Sequence, residues 1–289
     1  MNEKSTRPIY QKIMAQTGIE DFKKLIKKWE MLSENLSDKT ALAPMILPDL
    51  FLVSGSGTGR THLLKLMSEY LSETPGLMDF YGDVKYFEFL LNYCRPDQYF
   101  SEIQRLMTEV DNAAGFRSEY RGIVYIDIDE WLGHCEEKHF ASFMEYLSDN
   151  SSDWVVVLSV SDSNSEQVSQ MEAFVSAFIR IEKITIEAPS ATELTQYLKS
   201  RLGSYALVLD VQAEALITES INELCKNKYF DGYKTVRMLS DDIIYTLYTE
   251  GTKKSGALSA EDLSGFAKDG EYIQRMIIKI EKTKRIGFC

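Results

Sequence analysis

The chain of 289 residues is short of positive charge: 32 lysines and arginines face 44 aspartates and glutamates, for a net charge of −12 at pH 7. Phosphate contacts to a nucleic acid need clustered Lys and Arg, so no nucleic-acid partner is expected. Cysteine is scarce as well. Cys94, Cys135, Cys225 and Cys289 are widely spaced and form no C-x-x-C pair. That pattern indicates reduced thiols in a cytosolic protein rather than a disulfide framework. The three histidines, His62, His134 and His139, do not join the cysteines at zinc-ligand spacing. The neighbours His134, Cys135 and His139 read instead as a helix surface. Long apolar runs are also missing. No stretch reaches the ~18 apolar residues needed to span a bilayer. The start, Met1 to Lys12, is polar and has no apolar signal core. These absences point to a soluble, cytoplasmic protein without a membrane partner. The chain also lacks internal repeats and low-complexity tracts.

What is present is ordinary for a globular protein: 44% hydrophobic and 26% charged residues. The length suits a core domain plus a small second one. Residues 19–36 place Ile19, Phe22, Leu25, Ile26 and Trp29 at helical spacing after Gly18. A loop with Pro44 and Pro48 follows. Short strand candidates then recur at Leu50–Val53, Val84–Phe89, Ile123–Ile126, Val155–Val160 and Ile181–Ile186. Helical stretches at Thr61–Ser72, Tyr99–Ala114 and His139–Leu147 separate them. Strands that read as continuous apolar runs, alternating with helices, indicate a parallel sheet covered on both faces. After Pro189 the pattern is helical almost throughout: Glu193–Leu202, Ala213–Lys226, Tyr233–Glu250, then about Ala260 to Lys284 with breaks near Gly265 and Gly270. The expected fold is α/β: a parallel-sheet core with a small helical lid behind it. Its segments are an N-terminal helical and linker segment at 1–48, the α/β core at 49–189, and the helical lid at 190–289.

The run Ser54-Gly55-Ser56-Gly57-Thr58-Gly59-Arg60-Thr61 follows a strand and opens a helix. A phosphate-binding P-loop has Gly, four residues, then Gly-Lys-Ser/Thr in that setting. Gly55, Gly57 and Gly59 free the backbone to turn successive N–H groups into one cavity, and the helix N-terminus adds its positive end. Ser54 stands at the first glycine position and Arg60 at the lysine. Thr61 fits, and its hydroxyl is assigned to Mg²⁺. Residues 55–61, His62 and the later Arg237 make up the expected nucleotide site, for ATP or ADP. Arginine carries lysine's charge on a wide planar fork, so the exchange weakens binding and disfavours transition-state stabilisation.

The run Ile123–Ile126 ends in Asp127-Ile128-Asp129-Glu130. A Walker B strand is four apolar residues, an Asp that holds the Mg²⁺ water shell, then a Glu that polarises the attacking water. Counted from the strand, Asp127 is the metal-side acid and Ile128 holds the base position. A register shifted by two makes Asp129 and Glu130 the pair, at the cost of placing Asp127 inside a buried strand. The first register is favoured, and Glu130 stays a candidate base.

With these motifs in order, the chain resembles an AAA+ ATPase, and most closely the branch of the red-type rubisco activase and stage V sporulation protein K. Gly18-Ile19-x-x-Phe22-Lys23 resembles that branch's Gly-Leu-x-x-Val-Lys helix, and residues 54–61 resemble Gly-Pro-Pro-Gly-Thr-Gly-Lys-Thr. Tyr125-Ile126-Asp127 resembles the Walker B Phe-Ile-Asp, and Val155–Ser161 the sensor 1 strand. Phe174–Phe178 resembles the segment carrying the arginine finger, and Gly232–Leu239 the sensor 2 segment with Arg237. The resemblance implies ATP or ADP with Mg²⁺, and a protein partner, either a second AAA+ subunit or copies of the same chain. It also exposes departures. Ala177 stands where the finger arginine is expected, with Arg180 three residues on. No convincing pore loop follows the second strand, Asn92-Tyr93-Cys94 being the nearest candidate. With Arg60, Ile128 and Ala177 all altered, the expectation is a degenerate, slow or inactive ATPase acting as an interaction or regulatory subunit. An active ring-forming remodelling ATPase is the alternative.

Overall fold

The computed structural model describes residues 7–16, 18–36, 47–55, 57–74, 77, 84–92, 95–114, 121–151, 154–227, 230–249 and 256–286. The chain divides into two compact units, Met1–Gly55 with Arg60–Glu187, and Ser56–Gly59 with Ala188–Cys289.

The first unit is built on a five-stranded parallel sheet. Its strands are β1 (Asp49–Ser54), β2 (Lys85–Leu90), β3 (Gly122–Asp127), β4 (Trp154–Val160) and β5 (Ile181–Ile186), in the order β2-β3-β4-β1-β5. All recorded pairings within it are parallel. Successive strand residues point to opposite faces, and both faces are buried. Phe51, Val53, Val124, Ile126, Val156 and Leu158 face one cluster. Helices α4 (Tyr99–Ala113), α5 (Lys138–Asn150) and α6 (Ser165–Ser176) pack into that cluster through Leu106, Phe143 and Met171. Leu50, Leu52, Ile123, Tyr125, Val155 and Val157 face the other. There α1 (Pro8–Met14), α2 (Glu20–Leu36) and α3 (Arg60–Ser72) supply Ile13, Phe22 and Leu64. This two-sided burial is why the strands read as unbroken apolar runs.

Helix α6 contains the Phe174 segment but is not foreseen as a helix. The signal is there: the Asn164 carboxamide accepts from the N–H groups of Glu166 (3.1 Å) and Gln167 (3.2 Å), an N-cap. Arg7 runs from α1 to the α2–α3 layer. Its guanidinium reaches Glu30 at 2.8 Å and Thr74 at 3.1 Å, and the buried Tyr70 hydroxyl donates to the same Glu30 carboxylate at 2.8 Å.

At the start of β1, one Asp49 carboxylate oxygen accepts from the Val156 N–H at 2.7 Å. Burial raises the Asp49 pKa from 3.8 to about 7 against that bond. The folded state therefore holds this proton over a range where the unfolded chain has lost it. The contribution of this group to stability is greatest below about pH 4, falls as pH rises toward 7, and is flat above. Asn keeps the acceptor and cannot ionise. Asp49→Asn is expected to match the native chain at pH 4 and to exceed it by on the order of 2–4 kcal/mol at pH 8, in urea melts at each pH. Equal stability at pH 8 would refute the buried-carboxyl assignment.

The second unit is mostly helical. Helix α7 (Ala191–Gly203) opens with a capping box. The Ser190 hydroxyl accepts from the Glu193 N–H at 3.3 Å, and the Glu193 carboxylate accepts from the Ser190 N–H at 2.8 Å. Asp210 caps α8 (Val211–Cys225) by accepting from the Ala213 N–H at 2.7 Å. Helices α9 (Gly232–Thr249) and α10 (Glu271–Ile286) complete the unit around Leu198, Ile217, Leu239 and Ile273.

Two features depart from the expectation. Strands β6 (Leu207–Leu209) and β7 (Gly256–Leu258) pair in parallel within a region expected to be helical almost throughout. Three residues are too few to display a period of two, and the partner lies far along the chain. The last helix begins at Glu271 rather than near residue 260. A 3-10 turn, Ser264–Phe266, precedes it and buries Phe266. Two glycines in that stretch, Gly265 and Gly270, disfavour a continuous helix.

Candidate functional site

The phosphate-loop sequence starts where β1 ends. Ser54, at the first glycine position, is buried, and its hydroxyl has no hydrogen-bond partner among the described residues. Ser56 lies outside the described residues. Gly55, Gly57 and Gly59 are partly buried, and Thr58 is buried. Gly57 and Gly59 have φ of 73° and 85°, the left-handed region that an L side chain resists.

Gly57 belongs to the second unit and is pressed against the start of α9 there. Its carbonyl accepts from the Tyr233 N–H at 3.1 Å. A Cβ on Gly57 would lie 2.2 Å from the Asp231 carbonyl carbon, and one on Gly232 would lie 2.2 Å from the Gly57 oxygen. Gly232 itself has φ 46°. Sequence reasoning used Gly57 as a phosphate-loop residue but missed its backbone partner. The signal available was Asp231-Gly232 directly before a helix.

Arg60 opens α3 in the first unit. Nη1 donates to the Ser159 hydroxyl at 2.9 Å, and Nη2 stands 3.4 Å from the Asp127 carboxylate. The guanidinium lies 5.7 Å from the centroid of the Tyr125 ring, a cation–π distance. Asp127 closes β3 and is engaged by two further donors. Its Oδ1 accepts from the Asp129 N–H at 3.1 Å, and its Oδ2 from the Tyr125 hydroxyl at 3.3 Å. Burial, and then the Asp127 charge, raise the Tyr125 pKa, so this hydroxyl stays a donor. The strand register brings this about: Asp127 stands beside Ser159 in the parallel pairing of β3 with β4.

Ile128 is fully buried, and its N–H donates to the Ser159 carbonyl at 2.9 Å. Asp129 turns to the neighbouring strand end, where it accepts from the Ser161 N–H at 2.7 Å. Glu130 is exposed in a short 3-10 turn, Asp129–Trp131. Thr61 and His62 are exposed on the first turn of α3. Partial burial, with the Lys12 charge, lowers the His62 pKa. Arg237 sits on α9 with a largely exposed side chain, 3.8 Å from Asp241.

The two finger positions lie apart from Arg60. Ala177 is exposed at the C-cap of α6. Arg180 directly precedes β5, and its carbonyl accepts from the Asp49 N–H, at the end of the sheet opposite the phosphate loop. Of the pore-loop candidate, Tyr93 and Cys94 lie outside the described residues. Asn92 is held by the Glu102 carboxylate, at 3.0 Å from its N–H. The residues that sequence reasoning left out of the site are Tyr125 and Ser159, which touch Arg60 directly.

No family profile matches this chain, and no curated protein does. Among solved structures, it is similar to the C. elegans PCH-2 structure, an AAA+ ATPase. The match has a TM-score of 0.50 at 13% identity and covers 91% of this chain and 69% of that one. At that identity the likeness speaks for the fold: a parallel α/β sheet with a helical C-terminal region. No helix among the described residues is long and apolar enough to cross a membrane.

In the phosphate-loop reading of the sequence, Thr61 and Asp127 are the residues to which Mg²⁺ would fall. The donor set around Asp127 is a poor fit for it. A guanidinium, a phenol and a backbone N–H already face the carboxylate. Mg²⁺ demands an octahedral shell of oxygens at about 2.0–2.1 Å, and a cation is already in place there.

Proposed function

We propose that this chain is a nucleotide-binding protein of the AAA+ type that hydrolyses ATP very slowly or not at all, and that serves as an interaction or regulatory subunit. The observation that carries this reading is Ile128. It follows the last residue of β3, where a catalytic base would stand, and it is sealed in the core with its backbone tied to Ser159. Asp129 is committed to Ser161, which leaves it poorly placed to take over. The glycine loop and the N-terminus of α3 survive these changes. Backbone N–H groups and the helix dipole bind phosphate without a particular side chain, so ATP or ADP remains the ligand of choice. The exposed tyrosines Tyr205, Tyr245 and Tyr248 on the helical unit favour a contact role. The partner is a second AAA+ subunit or further copies of this chain.

Two measurements on the purified chain test this. Calorimetric titration with ATP is expected to show saturable binding at about micromolar Kd. Phosphate release is expected to stay far below about 1 s⁻¹. Release near about 1 s⁻¹ that vanishes in Asp127→Asn would establish an active ATPase instead. Absence of binding up to millimolar ATP by a folded chain would leave a scaffold that has lost its ligand.

A further inference from the structure

We infer that the Arg60 guanidinium takes the place of the divalent cation at Asp127, so that the nucleotide this chain binds is the metal-free form. The inference rests on the nucleotide reading for its ligand and on the Arg60 contacts for its mechanism.

A Mg²⁺ ion shared by a nucleotide and an AAA+-type site balances the β- and γ-phosphate charge and is steadied by the acid at the end of the strand. Here that acid already has a cation. Arg60 is one residue past the last glycine of the loop and is anchored at both tips of its fork, on Ser159 at 2.9 Å and beside Asp127 at 3.4 Å. Placing Mg²⁺ at Asp127 would bring a second positive centre against the guanidinium and strip the aspartate of a partner. The Tyr125 ring, 5.7 Å from the guanidinium centre, favours a cation that is delocalised and weakly hydrated, which Mg²⁺ is not. Arginine has five N–H donors and cannot be deprotonated. Ser159 and Asp127 occupy two tips of the fork, and the donors that remain can serve phosphate oxygens. Lysine at the same position offers a single ammonium on a flexible stem. It cannot hold Ser159 and Asp127 together with the same fixed geometry, and it would leave the aspartate open to a metal.

The experiment is a titration of the full chain with ATP, once with excess EDTA and once with excess Mg²⁺, repeated on Arg60→Lys. The native chain is expected to give the same Kd in both, within about threefold, and Arg60→Lys is expected to bind at least about tenfold more tightly with Mg²⁺ than without. Native binding that tightens about tenfold or more on adding Mg²⁺ would overturn the inference. If the chain binds no ATP in either buffer, the nucleotide reading fails, and the cation claim is decided separately by NMR of the arginine side chains. Arg60 N–H signals that stay resolved and unbroadened through a Mn²⁺ titration, and that collapse in Asp127→Asn, would uphold the substitution. Selective broadening of the Arg60 signals by Mn²⁺ would overturn it.

Discussion

Ile128→Glu is expected to unfold the first unit rather than to restore hydrolysis. The substitution supplies the carboxylate that a Walker B strand ordinarily carries, so on sequence grounds it is the obvious repair. The position forbids it. Ile128 is fully buried within the cluster that also holds Trp131, Phe140 and Leu158. The described residues of that cluster are hydrophobic, and burying an unpaired charge costs on the order of 3–5 kcal/mol. That is a large share of the roughly 5–15 kcal/mol that holds a domain folded. The new glutamate would escape part of the cost by staying protonated, so its folded pKa would lie above its unfolded value. The defect should then be smallest below about pH 4 and grow as the pH rises. Urea melts at two pH values measure it. Ile128→Leu, nearly equal in volume, is expected to cost less than about 1.5 kcal/mol, which separates charge from shape. A variant that melts like the native chain and releases phosphate faster would show that the position opens toward the nucleotide.

Alanine substitutions along the glycine loop are expected to fall in a fixed order of damage. Gly57→Ala and Gly232→Ala come first. Each would set a Cβ 2.2 Å from a backbone atom of the other segment, at φ values of 73° and 46°. Backbone cannot swing aside as a side chain does. The contact between Gly57 and the start of α9, with its Tyr233 N–H bond, would have to open. The cost is expected to be about 2–4 kcal/mol in the melting of the helical unit. Gly59→Ala comes next, at about 1–2 kcal/mol for the left-handed backbone, because its Cβ would meet only the Tyr233 ring at 3.6 Å. Gly55→Ala should be mildest, since its nearest neighbour would be an Asp162 oxygen at 3.9 Å and its φ is not positive. Thermal melts of the four variants give the order directly. Gly57→Ala costing no more than Gly55→Ala would mean that the loop does not rest on α9. If the order holds, these glycines have two reasons to be glycine, a phosphate-binding turn and a close backbone approach, and stability separates the second from the first.

The architecture was legible because it rests on local patterns. Five short apolar runs interleaved with amphipathic stretches dictate a parallel sheet with both faces covered, since only such a sheet buries every residue of its inner strands. The strand, glycine turn and helix at 50–72 are likewise set by neighbours in sequence, and so is the position of Asp127 at the end of its strand. Elements too short to show a period were not legible. Strands β6 and β7 exist because a partner far along the chain supplies their hydrogen bonds. The meaning of the altered site residues also waited for tertiary structure. In sequence, Arg60 is a substituted lysine, Ile128 a missing base and Gly232 a residue before a helix. What each does depends on atoms brought from elsewhere. Pairing of β3 with β4 puts Ser159 beside Asp127 and gives Arg60 two anchors. Packing of α5 against the sheet seals Ile128 inside. Backbone approach at Gly57 leaves no room for a Cβ on Gly232. The sequence alone determined which groups were available and which fold would carry them. Tertiary structure decided which charges meet, because charge pairing and burial depend on distance through space, and distance along the chain does not set that.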